Sequence, residues 1–173
     1  MEKTNENRYV VFVSLTGDQQ IKCYDLDLNS GTLELRSTSN AHGPSGALYL
    51  HPSGKVMLIA HVESTTLASF RLDTSSGQLA LINKINTGID IPAHLITDRT
   101  GRFLLTAYYG GGGVTVHRLG DDGTIDEQVQ YIDTGEKAHA IHAVDEDRFV
   151  FVPHVCPTNK TSQFRFDCKS GLL

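Results

Sequence analysis

The sequence predicts an all-β chain, a β-propeller of four-stranded antiparallel blades, on three grounds: a repeat of about 46 residues, strands as the only sustained hydrophobic pattern, and a length of about three and a half repeat units. One turn anchors the repeat. It reads Asn29-Ser30-Gly31-Thr32-Leu33, Ser75-Ser76-Gly77-Gln78-Leu79, Asp121-Asp122-Gly123-Thr124-Ile125 and Lys169-Ser170-Gly171-Leu172-Leu173, with glycines 46, 46 and 48 residues apart. A second marker keeps the same phase: His51-Pro52-Ser53-Gly54-Lys55, Asp98-Arg99-Thr100-Gly101-Arg102 and the degenerate Asp145-Glu146-Asp147-Arg148.

The strands follow in order. Tyr9 to Ser14 opens the chain and corresponds to the second strand of a blade. Ala47 to Leu50, Val56 to His61, Thr66 to Leu72 and Gln78 to Asn86 make one complete blade. The next is the clearest. His94 to Asp98 is a short strand, and Phe103 to Tyr108 is nearly all apolar, as a strand covered on both faces should be. Val114 to Leu119 alternates, and Thr124 to Ile132 is a polar outer strand. The run Gly110 to Gly113 leads into a strand, with no helix N-terminus behind it to bind phosphate, and is read as a tight turn. Ile141 to Val144, Phe149 to Val152 and Ser162 to Phe166 form a last blade without its outer strand. The expected blades are 9–40, 44–87, 92–134 and 138–173, behind a disordered tail over 1–8. Rings close with roughly four to eight blades, so the chain is expected to be part of a larger ring whose C-terminal half is missing.

Composition excludes several classes of function. Fifteen Lys and Arg stand against 20 Asp and Glu, a net charge of −5 without a basic cluster, which argues against nucleic acid and anionic membranes as partners. No run of about 18 apolar residues could span a bilayer, and the first residues lack the apolar core of a signal peptide, so a cytoplasmic location is expected. Cys23, Cys156 and Cys168 are odd in number and irregularly spaced, and are expected to serve as small apolar core residues. His139 and His142 would point to opposite faces of a strand, so no metal site is expected.

In a meander, the start of the inner strand and the end of the second strand meet at one end of the blade. The second strands end at Ser14, His61, Tyr108 and His154, while Ala93-His94 and Ala138-His139 begin inner strands. Six polar side chains, four of them histidines, are therefore expected on one rim around the central channel. A single histidine often only holds a backbone carbonyl. Recurrence at one rim points instead to proton transfer, which imidazole suits near neutral pH. His42, His51, His117 and His142 fall elsewhere and are read as background.

Ala138-His139-Ala140-Ile141-His142, Phe151-Val152-Pro153-His154 and Gln163-Phe164-Arg165-Phe166-Asp167 before a Ser-Gly turn resemble the seven-bladed propeller lactonase family, which includes the bacterial propeller-type 6-phosphogluconolactonases. Pro92-Ala93-His94, Gly101-Arg102-Phe103 and Tyr108 before its glycines fit the same blade pattern. The resemblance covers residues 9–173 and only the family's N-terminal half. It implies hydrolysis of a sugar δ-lactone, with 6-phosphogluconolactone the typical substrate, and no metal or organic cofactor. His139 would be the catalytic base or acid, and His94, Tyr108, His154 and His61 would bind substrate. The family's arginines lie in later blades, and Lys137 is the cation nearest His139 in sequence. Two alternatives stay open: a non-catalytic propeller that presents its rim to a partner, and a lactone-forming activity like that of the related muconate enzyme. The flat faces of an open set of blades also lead us to expect self-association.

Overall fold

The computed structural model describes residues 7–173, so the residues expected as a tail lie outside the described residues up to Glu6. Arg8 already belongs to a strand and pairs with Asp27, and Leu28 N–H donates to the Asn7 carbonyl at 2.9 Å. The first sheet is β1 (Arg8–Leu15), β2 (Gln20–Asp27) and β3 (Leu33–Asn40). The second is β4 (Ser45–Leu50), β5 (Val56–His61), β6 (Thr66–Leu72) and β7 (Leu79–Asn86). The third is β8 (Pro92–Thr97), β9 (Phe103–Tyr108), β10 (Val114–Leu119) and β11 (Ile125–Ile132). The last is β12 (His142–Val144), β13 (Phe149–Pro153) and β14 (Thr161–Arg165). Each sheet is an antiparallel meander in chain order, with three, four, four and three strands. The chain is all-β among the described residues.

The second strand of each complete blade is apolar throughout because it serves two interfaces. Side chains alternate between the faces of a strand. Met57 and Ile59 of β5 therefore pack with Ile21 and Phe70 in the layer toward the first sheet. Val56, Leu58 and Ala60 pack with Leu104, Leu119 and Ile125 in the layer toward the third. On β9, Leu104 belongs to that same layer, while Phe103, Leu105 and Ala107 join Val150, Val152 and Phe166 against the last sheet. Each buried Leu-sized side chain in these layers contributes about 1.5–3 kcal/mol.

The repeated glycines are contact points between blades. Gly123 and Gly171 have φ of 89° and 80°, a conformation that side chains oppose. A Cβ there would lie 2.6 Å from Val56 and 2.4 Å from Phe103 of the preceding blade. A second, polar clasp joins the outer strands. Leu79 N–H donates to Ser39 Oγ at 2.9 Å, Ile125 N–H to Asn83 Oδ1 at 3.1 Å, and Leu173 N–H to Gln130 Oε1 at 2.8 Å. The second marker links blades as well, through His51 Nε2 donating to Gly101 O at 3.0 Å and Arg99 N–H donating to Asp147 Oδ2 at 2.6 Å. Leu33 occupies the position of Leu79 and Ile125 in the first sheet, yet it is 53% exposed where they are 9% and 2%. With Tyr9, Val13 and Leu35 it forms an exposed apolar face on β1 and β3.

Cys23 is buried, whereas Cys156 and Cys168 are exposed in turns, so the expected core role holds only for Cys23. Gly110 to Gly113 forms the turn between β9 and β10 as expected, closed by Tyr108 N–H to Gly113 O at 3.1 Å.

His117 is 3% exposed on β10, on the same face as Leu119, and its Nδ1 has no protein partner. Burial pushes its pKa from 6.5 down to about 4. Folding therefore favours the neutral ring. The associated stability is full above pH 6.5 and is lost as pH falls toward 4. Urea unfolding at pH 7 and at about pH 4.5 should show an acid loss larger by about 2–3 kcal/mol in the parent chain than in His117→Leu. Equal losses in the two proteins would contradict this account.

Candidate active site

The segments that cross from one blade to the next end in left-handed residues immediately before the inner strands. Ile91 has φ of 55° and Lys137 of 64°. Both are sewn to the end of β9: Tyr109 N–H donates to Ile91 O at 2.8 Å, and Lys137 N–H donates to Tyr109 O at 2.9 Å. A β-branched side chain at positive φ is strained. The fixed path of the crossing segment holds Ile91 there.

These crossings cover the ends of the second strands, and that overturns part of the expected rim. His61 is fully buried, with Nε2 donating to Ala41 O at 3.0 Å and Nδ1 accepting from Thr66 Oγ1 at 2.7 Å. Both nitrogens are thus engaged in the neutral ring, and burial pushes its pKa down. His154 makes a similar contact two crossings further on: Nδ1 donates to Glu136 O at 2.9 Å, Nε2 is buried without a protein partner, and the residue is 4% exposed. Tyr108 is fully buried, its hydroxyl 3.0 Å from Thr115 Oγ1, and burial raises its pKa. Ser14 donates to Gly46 O at 2.8 Å. Ser14, His61 and His154 therefore fasten their strands to a crossing or to the next blade instead of facing an open channel, and Tyr108 is enclosed within its own blade.

His94 and His139 remain accessible, but they are not equivalent. Pro92 pairs with Tyr108 and His94 with Ala107, across a bulge at Ala93, whereas Ala138 bridges His154 and His139 follows it directly. His139 is exposed and held by its backbone N–H on Pro153 O at 3.0 Å. Its ring meets Tyr109 edge-on at 6.0 Å, and Lys137 Nζ lies 5.5 Å from the same Tyr109 ring. His94 is half-buried, and its Nδ1 accepts the Ile141 N–H at 3.4 Å. An Nδ1 that accepts leaves the proton of the neutral ring on Nε2. Burial pushes the His94 pKa down, with His142 and His139 adding to the effect.

Two residues of this site were not singled out by the sequence. Tyr109 sits one residue past the strand end that the repeat marks. His142 was read as background, yet its ring lies 5.2 Å from that of His94, which reaches it from the neighbouring blade. Among the described residues, no three His, Cys, Asp or Glu side chains converge in a way that could hold a metal ion.

Comparison with known proteins gives a consistent picture. A family model described as "Lactonase, 7-bladed beta-propeller" matches residues 8–171. A 6-phosphogluconolactonase of Pectobacterium carotovorum subsp. carotovorum (strain PC1) is 30% identical over 149 residues, which cover 83% of this chain and 42% of that protein. The chain thus spans less than half the length of the curated relatives it matches. A Lactobacillus plantarum protein of solved structure superposes with a TM-score of 0.83 at 20% identity, covering 99% of this chain and 55% of its own. The periplasmic gluconolactonase of Pseudomonas aeruginosa gives a TM-score of 0.74 at 22% identity, covering 92% and 50%. No helix among the described residues is long and apolar enough to cross a membrane.

The geometry separates histidines that hold the fold from those that do not. Replacing His61 by Ala strands the Ala41 carbonyl and opens a cavity, and should lower stability in urea unfolding by about 2–4 kcal/mol. His139→Ala should change stability by no more than about 0.5 kcal/mol. A stable His61→Ala protein would remove the structural role assigned to that ring.

Proposed function

The chain belongs to the lactonase family of seven-bladed β-propellers, and on that premise we propose that it contributes the catalytic rim for hydrolysis of a sugar δ-lactone, with 6-phosphogluconolactone as the substrate and 6-phosphogluconate as the product. The observation that carries this reading is the exposed ring of His139 beside Tyr109, at the start of an inner strand whose neighbour presents His94.

A lactone carbonyl is already electrophilic, so the chemistry asks little of the protein. His139 removes a proton from water as the oxygen adds to the carbonyl carbon. The tetrahedral oxyanion then collapses, the bond to the ring oxygen breaks, and that oxygen takes a proton to become a hydroxyl. The acid formed ionises at neutral pH, so each turnover releases one proton to solution. His94 supports the reaction from the side: its Nε2–H is a fixed, neutral donor that positions the substrate. His154 supports it indirectly, since its bond to Glu136 O anchors the crossing that leads to His139, while His61 and Tyr108 are enclosed in the fold. The unpaired thiols of Cys156 and Cys168 favour a reducing compartment, in keeping with a cytoplasmic location.

The direct test is proton release from the δ-lactone, followed in a pH-stat against the spontaneous rate. The chain should accelerate hydrolysis, and His139→Ala should reduce the acceleration by about 10²–10⁴-fold. An unchanged rate in His139→Ala would remove the mechanism. No acceleration by the parent chain would favour a rim that only binds.

We also infer that the exposed apolar face of β1 and β3 makes the 173-residue chain associate with itself. Sedimentation velocity should find assemblies that Leu35→Asp disperses. A parent chain that stays monomeric at all concentrations would refute this.

A further inference from the structure

His142 has no place in the mechanism above, and its position beside His94 calls for one. The two rings come from different blades. His94 stands on β8 and His142 at the start of β12, with ring centroids 5.2 Å apart and planes inclined at 50°. Two imidazoles this close gain nothing from one another as cations, because like charges at such a distance repel. Neither ring is fastened as His61 and His154 are. His94 is held only through Nδ1 by the Ile141 N–H, which leaves Nε2–H as its free donor, and His142 is exposed.

We propose that His94 and His142 together form a subsite for an oxyanion, a phosphate monoester or a carboxylate, carried by the substrate that His139 acts on. An anion beside the two rings accepts a hydrogen bond from the Nε2–H of neutral His94 and one from His142, and its charge relieves the repulsion that otherwise opposes protonation of His142. Charge-assisted bonds of this kind are roughly twice as strong as neutral ones. The surroundings favour an anion. The next carboxylate along the chain from His142 is Asp145, which is taken up by Arg148. Lys137 adds a cation near His139, and His139 itself is close enough to act electrostatically on His94. A metal ion is the poorer fit, since two imidazoles supply only half of a tetrahedral shell and no third ligand converges on them.

The inference rests on the lactonase reading for the identity of its ligand but is tested without turnover. Imidazole proton–nitrogen NMR spectra of the labelled chain are recorded during titration with inorganic phosphate, 6-phosphogluconate, gluconate and glucose. The His94 and His142 resonances should move together and saturate in the millimolar range with phosphate and 6-phosphogluconate, and should stay still with glucose. A response to gluconate would assign the carboxylate to the same place, and no response would assign the phosphate alone. His142→Gln, at an exposed position, should weaken phosphate binding about tenfold and reduce the movement of His94. Absence of a saturable shift at either ring, or phosphate binding unchanged in His142→Gln, would overturn the subsite. A chain that binds phosphate in this way but hydrolyses no lactone would retain the subsite and lose the lactonase reading. Hydrolysis without the shifts would do the reverse.

Discussion

Everything in this molecule depends on sheets that are apolar on both faces. A four-stranded sheet such as β4–β7 cannot be stable by itself, because Met57 and Ile59 need cover on one side while Leu58 and Ala60 need it on the other. Stacking is the only arrangement that satisfies both at once. It also explains the sequence features that first appear to be mere punctuation. The glycines Gly77, Gly123 and Gly171 of the outer turns are required because each turn is pressed against Cys23, Val56 or Phe103 of the blade before it. The polar residues Ser39, Asn83 and Gln130 sit where they can capture the first backbone amide of the next outer strand. In the first sheet, where no other described sheet packs on that side, the same positions are left open. Gly31 has nothing within 4 Å of its would-be Cβ, and Leu33 faces solvent.

Stacking has a consequence at the channel end. Each blade must be reached from the last by a short crossing, and that crossing lies over the end of a second strand. The side chains found there become fasteners. His61 and His154 hold equivalent carbonyls, those of Ala41 and Glu136, each directly before a left-handed residue. A histidine suits this task because one nitrogen can donate to the crossing while the other turns inward. In His61 the inward nitrogen finds Thr66. In His154 it is buried without a protein partner. The histidines left accessible at this end are His94 on its inner strand and His139 just before the next one.

The inner strands then bring together groups that belong to different repeats. His94 is held by an amide of the following blade and faces a histidine of that blade, so its tautomer and its lowered pKa are properties of the seam between blades. His139 is exposed where His94 is half-buried, despite the identical Ala-His dipeptides that contain them, and a bulge at Ala93 precedes His94 in its strand.

The sequence by itself determined the all-β class and most of the strands of the second, third and fourth sheets, though not β2 and β3 of the first, because these are written in local periodicity: alternation along a strand, a glycine where φ must be positive, an unbroken apolar run where both faces are covered. It also named His94 and His139 at one end of the blades. The tertiary structure alone decided that His61, Tyr108 and His154 are enclosed, that His142 belongs with His94, and that Tyr109 rather than Tyr108 meets His139. The physical reason is that periodicity specifies a residue's place in its own strand. What it touches across a seam depends on the offset between blades and the path of the crossing, and packing sets both.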